Sequence, residues 1–184
     1  MYVFLSRQDS HTAAMMGADT VALCEMQGFS PRLENEKQSR TEANIVGYKA
    51  EFAVARVLNL ELPEINVLSD GGVDLWMNDH SIDVKFTNMN KDPVLIFDSM
   101  AKFRAEFAIL VTDETIDGED CFKIHGWISR REFKQRHGTT NFGYGERLTM
   151  PADALRPIET FWGRMTAEKM GTLHSWVADK EGLV

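Results

Sequence analysis

The chain has 184 residues, 43% of them hydrophobic and 26% charged, with a formal net charge of −8. That length is enough for one domain with a full core, and the composition is that of an ordinary globular protein rather than a disordered one. The acidic balance disfavours indiscriminate nucleic-acid binding, which needs lysines and arginines to release counterions; an enzyme on nucleic acid needs only a local basic surface.

Two cysteines, Cys24 and Cys121, stand far apart with no CxxC or Cys/His spacing, so neither a disulfide framework nor a zinc site is indicated. The opening "MYVFLSRQDSH" lacks a basic region followed by an apolar run, so no signal peptide is expected. No apolar stretch reaches the length of a membrane span. The expected compartment is the cytoplasm, and no membrane partner is expected.

In chain order, "HTAAMMGADTVALCEM" predicts a helix over 12–26, and the polar "SPRLENEKQSRTEAN" reads as a linker or an exposed helix. "ANIVGYKAEFAVARVLNL" predicts a helix over 43–60 that Pro63 forbids from continuing. A β-hairpin is expected over 73–86, then a strand over 94–97, a helix over 98–105, and strands over 106–112 and 121–128. Ser129 with Glu132 three residues on is a capping-box pattern that opens another helix. "HGTTNFGYGERLTMP" reads as a Gly-rich loop with at most one strand, and an amphipathic helix over 159–179 closes the chain. The order predicts an α/β fold, a central mixed β-sheet flanked by helices. The whole is read as a single domain, 1–184. Its core spans 43–137, with a helical extension over 1–42 and a loop and helix over 138–184.

The hairpin carries unexpected charge. In "SIDVKF", Ile82, Val84 and Phe86 share one face and Asp83 and Lys85 the other, which this pattern turns away from the core. In "VDLWM", Val73, Leu75 and Met77 make the apolar face and leave Asp74 and Trp76 opposite. With a two-residue loop inside "NDHS", Asp74 lies across from Lys85 or from Asp83, depending on which two residues turn. Either register gathers the three charges within ~4.5–8 Å, whereas a loop of odd length would separate them. Lys85 can balance the carboxylates in a cross-strand ion pair; a hard divalent cation is the alternative.

A third carboxylate comes from the helix over 43–60. At 100° per residue, Lys49, Arg56 and Asn59 fall in its solvated sector, whereas Glu51 falls in an apolar arc near Gly47, Val54 and Leu58. A glutamate facing a core needs a cation, a metal or a buried hydrogen-bond network. Gly47, one turn earlier, lets backbone or substrate approach closely.

Together "GYKAEFAVARVL", "GGVDLW" and "IDVKF" resemble the PD-(D/E)XK nuclease superfamily, whose pattern is a helical Glu, a strand Asp and an alternating (Asp/Glu)-x-Lys strand. The later "CFKIHGWISRREF" is similar to the strand and second helix that follow in many members, so the resemblance covers about residues 43 to 137. Val73 stands where the family name has Pro. The resemblance implies a restriction-endonuclease-like αβββαβ core, with the helices at either end as additions, and Mg²⁺-dependent hydrolysis of DNA phosphodiester bonds, with Mn²⁺ able to substitute. It implies that Asp74, Asp83 and the Val84 main-chain carbonyl bind metal, that Glu51 holds a second ion or a metal-bound water, and that Lys85 positions the water or stabilises the transition state. Many members act as homodimers, and an acidic chain could also rely on an accessory protein to deliver DNA. The alternative is a module that keeps the fold without the chemistry and binds nucleic acid or protein.

Substrate contacts are weaker in the sequence. "SRREFKQRH" places Arg130, Arg131, Lys134 and Arg136 on one short helix, as DNA contacts or as a solvated face paired with Glu132. Phe142 and Tyr144 in "NFGYGER" are either stacking aromatics or a hydrophobic flap. His80 sits in the hairpin turn, where exposure is the plain expectation. Trp162 and Trp176 belong to the closing amphipathic helix, with core or dimer packing as their role.

Overall fold

The computed structural model describes residues 1–28, 39–65, 72–143 and 145–163. Its elements in chain order are β1 (Tyr2–Phe4), α1 (Arg7–Met26), α2 (Arg40–Leu58), β2 (Leu75–Met77), β3 (His80–Thr87), β4 (Val94–Phe97), β5 (Phe107–Asp113), β6 (Cys121–Ser129), α3 (Arg130–Arg136), β7 (Gly138–Asn141) and β8 (Glu146–Pro151). Among the described residues no helix is long and apolar enough to cross a membrane.

Both long helices start earlier than the apolar periodicity suggests, because serines cap them. The Asp9 N–H donates to Ser6 Oγ at 3.0 Å at the head of α1. At the head of α2, Ser39 and Glu42 form a reciprocal capping box, at 3.2 and 2.9 Å. Asn59 then ends α2 in the left-handed conformation (φ 52°). The two helices cross tightly. A Cβ on Gly17 would lie 2.6 Å from the Ile45 Cα, so α1 can approach α2 only where it has no side chain. The Arg56 guanidinium donates to both Asp9 oxygens, at 3.1 and 2.7 Å.

Five strands form a mixed sheet in the order β1-β6-β5-β3-β2. β3 and β5 are parallel, and every other neighbouring pair is antiparallel. One face packs on α2: Ala50, Ala53, Val54 and Leu58 meet Ile82, Val84, Ile109, Val111 and Ile124. The central strands β3 and β5 are buried on both faces, so the period-2 contrast expected of a half-exposed sheet is lost in "FAILV". The other face is covered by a second, three-stranded sheet in the order β4-β8-β7, together with α3. Its core is aromatic. Phe97 and Phe103 stack at 4.3 Å, and Phe133 meets both edge-on at 5.3 and 5.5 Å.

Four expectations need correction. The helix over 98–105 does not form; that stretch is a series of turns. Phe103 is wedged into the aromatic core, and the Arg130 guanidinium holds the Phe103 carbonyl at 2.5 Å and the Met100 carbonyl at 3.5 Å, so carbonyls that a helix would have used internally are satisfied from outside. The strand over 94–97 forms but pairs with β8, not with the main sheet. The Gly-rich segment is a hairpin of two strands, β7 and β8. The N-terminus is more than a helical extension, because β1 adds an edge strand beside β6. Residues 159–163 are helical; the rest of the expected closing helix, with Trp176, and most of the polar stretch after α1 lie outside the described residues, as does Tyr144.

The α1–α2 brace carries a pH signature. The hydrogen bond from Arg56 holds the Asp9 carboxyl below its ordinary value, against burial, which pushes the other way. A carboxylate depressed in the folded state contributes stability that is complete above its unfolded value of about 3.9 and lost as pH falls through the folded one. Asp9→Asn should therefore lower stability near neutral pH, by on the order of 1 kcal/mol given that Arg56 is half exposed. The gap should close in acid. Urea unfolding of both proteins at pH 7 and pH 3 measures it, and an equal gap at both values would contradict the assignment.

Candidate active site

The β2–β3 hairpin pairs Leu75 with Ile82, Trp76 with Ser81 and Met77 with His80. The two-residue loop is therefore Asn78–Asp79, with Asn78 at φ 55°, as such a tight turn requires. One step further along the register, Asp74 falls opposite Asp83 rather than Lys85. There the ladder breaks. The Asp74 N–H reaches the Ile82 carbonyl at 2.9 Å, and the Val84 N–H donates to Asp74 Oδ2 at 2.6 Å. A carboxylate thus replaces a strand carbonyl as acceptor, in a short charge-assisted bond. Gly72, at φ +81°, leads the chain into this position, and a Cβ on it would stand 4.0 Å from Asp83 Oδ2. Asp74 and Asp83 are joined through one peptide unit of β3.

Asp83 is not on an open face. Its side chain is 0% exposed, because β4 and the aromatic core lie over the side of β3 that the sequence pattern turns away from the core. The cover comes from residues well separated in sequence, so alternation within β3 could not show it. Lys85 Nζ pairs with Asp83 Oδ1 at 2.6 Å and sits 5.4 Å from the centre of the Phe97 ring, with its side chain 36% exposed. The ammonium is thus held between a buried carboxylate and an aromatic face, with an outlet to water.

Glu51 reaches the same neighbourhood from α2. It is half-buried and lines a cleft of about 850 Å³ together with Asp74, Gly47, Tyr48 and Trp76. Tyr48 is fixed by a 3.0 Å hydrogen bond between its hydroxyl and Thr20 on α1. Gly47 leaves open space: a Cβ there would meet nothing within 4 Å. The cleft runs between α2 and the edge strand β2, with residues 61–65 also lining it. Asp83 and Lys85 are not among its lining residues. They stand behind Asp74, across the Val84 peptide.

Among the described residues, no three His, Cys, Asp or Glu side chains converge as a metal-binding group. The donors at hand are two aspartates and the Val84 carbonyl, all hard oxygens. Mg²⁺ is held in this way, through one or two carboxylates with its other positions left to water and substrate phosphate, rather than in an all-protein cage. These oxygens are of the chemical kind that such an ion takes, with one Asp83 oxygen already paired to Lys85.

The basic residues on α3 do not join this site. Phe133 anchors α3 to the sheet face opposite α2. Arg130 holds the 100–103 turn; Arg136 pairs with Glu132 and reaches the Ala154 carbonyl; Glu132 also binds Arg156 at 2.9 Å. Arg131 and Lys134 are exposed on that far side. On α2, Lys49 and Arg56 are ion-paired with Asp120 and Asp9 instead of simply solvated. His80 lies at the turn end of the hairpin, 2.9 Å from Glu106, away from the Asp74 end. Ser129 caps α3 as its spacing predicts.

No family model matches this chain, and no curated protein or solved structure matches it. Sequence reading missed Tyr48 and Gly72, and it left Trp76 without a role; the available signal was only their proximity to Glu51 and Asp74.

The buried pair makes a stability prediction. Lys85→Met leaves the Asp83 carboxylate without its ammonium in a fully buried position, which should cost about 3 kcal/mol or more. Asp83→Asn leaves a lysine that can extend into water, so its cost should be nearer ~1 kcal/mol. Urea unfolding of the two variants ranks them; equal or reversed losses would show that Lys85 does not balance Asp83.

Proposed function

We propose that the chain is a metal-dependent nuclease that hydrolyses phosphodiester bonds of DNA, built on a restriction-endonuclease-like core. One observation carries the reading: the hairpin opens where Asp74 meets the Val84 peptide, between Asp83 and Lys85, and Glu51 enters the Asp74 cleft from α2. The α2–β2–β3 order and the parallel β3–β5 pair support the core assignment, while β4, which leaves for the second sheet, is a departure from it.

Asp74, Asp83 and the Val84 carbonyl would hold Mg²⁺ or Mn²⁺, with Glu51 taking a second ion or a bound water. The bound ion would supply water activation and neutralise charge on the phosphoryl oxygens. The chain's own residues do the rest. Asp74 stays fixed by the Val84 N–H, which presets one ligand. Lys85, held beside Asp83, acts by positioning the attacking water and stabilising negative charge. Releasing its ammonium from Asp83 toward the phosphate couples substrate arrival to the opening of the ion pair.

A second reading, a non-catalytic nucleic-acid- or protein-binding module, is favoured by one feature: Asp83 and Lys85 already close on each other out of the cleft. The two readings separate in an assay on linear, circular and branched DNA with and without Mg²⁺. The nuclease reading expects Mg²⁺-dependent cleavage that falls on the order of 100-fold or more in Asp74→Asn and Asp83→Asn, and weakens in Glu51→Gln. Activity that survives both aspartate changes, or no cleavage of any substrate, would remove it.

A further inference from the structure

We infer that the outer edge of β1 is a self-pairing surface, on which two copies of the chain join β1 to β1 antiparallel about a two-fold axis at Val3. The main sheet then runs on from one copy into the other. This inference stands apart from the nuclease reading. Among the described residues β1 has β6 on one side and no strand on the other. Met1 and Ile124 exchange both backbone hydrogen bonds, at 2.9 and 2.8 Å, and the Leu5 N–H donates to the Asp120 carbonyl at 3.0 Å. Bonding direction alternates along an antiparallel strand. The N–H and C=O groups of Tyr2 and Phe4 therefore point away from β6, along the outer edge.

A two-fold axis at Val3 sets Tyr2 of one copy opposite Phe4 of the other, and Phe4 opposite Tyr2. Both become hydrogen-bonded pairs, each exchanging its two bonds. An axis at Tyr2 or at Phe4 would form only one such pair within the strand. The side chains agree with the same axis. Val3 packs on the α2 core, so Tyr2 and Phe4 share the face turned from α2, where they are 55% and 56% exposed. The order aromatic, valine, aromatic reads alike in both directions, so each ring meets a ring across the axis. Native edge strands are blunted by a charge, a proline or a bulge, and "YVF" carries none of these. Of the nine large hydrophobic side chains exposed among the described residues, Met1, Tyr2, Phe4 and Ile116 belong to this end of the chain or to the β5–β6 turn beside it.

Charge fits an antiparallel partner. Lys123 stands across from Tyr2, 5.5 Å from the centre of its ring. At the other end of β1, Glu119 is exposed just beyond Asp120, whose own carboxylate is taken by Lys49 at 2.6 Å. Antiparallel pairing turns the cationic end of one copy toward the acidic end of the other, and a parallel arrangement would set like charges together. A contact of one three-residue strand per copy falls below the ~1,200 Å² of a stable interface. The dimer is therefore reversible, and dilution separates it.

The test is sedimentation equilibrium of the full, tag-free chain under reducing conditions, from about 5 to 500 µM, a range that brackets micromolar dissociation. The expected result is a mass that rises with concentration toward twice that of the monomer. Tyr2→Lys/Phe4→Lys sets lysine opposite lysine in both pairs and should weaken association about 10-fold or more. Tyr2→Lys/Phe4→Glu sets lysine opposite glutamate and should associate about 10-fold more tightly than the double-lysine variant, a gain that about 1 M salt should remove. Because both side chains are exposed, melting curves of the dilute variants should match the wild type. A constant monomer mass across the range would overturn the inference. A double-lysine variant that associates like the wild type would do the same, and two charge variants that associate equally would rule out the axis at Val3.

Discussion

A carboxylate with no exposure, in the middle of a central strand, is the constraint around which this molecule is arranged. Asp83 sits on β3 with apolar layers above and below it, where an uncompensated charge would cost more than a small domain can tolerate. Lys85, two residues along the same face, balances it, and Phe97 and the second sheet roof the pair. The same strand presents the Val84 N–H to Asp74, so a second carboxylate is tied to the first through one peptide. Two aspartates linked through one peptide would repel each other wherever both are charged, and Lys85 is the cation that meets one of them. Native proteins retain such an arrangement chiefly where the charge has a use.

The division of the sheet into two covered faces separates two kinds of charge. On the α2 side, the cleft gathers carboxylates, and the cations of α2 are turned outward into braces with Asp9 and Asp120. On the far side, α3 carries a run of basic residues, part of which is spent on holding the 100–103 turn and a Glu132–Arg136–Arg156 cluster. The formal charge of −8 is therefore not evenly spread. Its local acidic excess coincides with the candidate site.

Much of the site was legible because its signal is local. Strand alternation in "SIDVKF" set Asp83 and Lys85 on one face, helical periodicity in "GYKAEFAVARVL" set Glu51 apart from Lys49 and Arg56, and the Asn78–Asp79 turn then fixed the register. The covering of that face was not legible. It is made by β4, whose contact with β3 through Phe97 and Lys85 no short window reveals. The absent helix over 98–105 has the same cause: Ser99, Met100, Ala101 and Lys102 all tolerate helix, and the decision is taken by Arg130, about thirty residues on. Charge runs are equally silent about their partners: in sequence α3 offers either DNA contacts or a solvated face paired with Glu132, and in the structure Arg130 and Arg136 hold neighbouring segments while Arg131 and Lys134 are exposed.

The central claim is that Asp74 and Asp83 form one hard-cation site across the Val84 peptide. Paramagnetic broadening of amide signals from ¹⁵N-labelled protein by substoichiometric Mn²⁺ tests it most directly. The account predicts that the amides of Asp74, Asp83 and Val84 broaden first, with Glu51 next and His80 spared at the far end of the hairpin. Broadening that begins instead in the acidic turn at Asp113–Asp120, or is uniform over the chain, would contradict it.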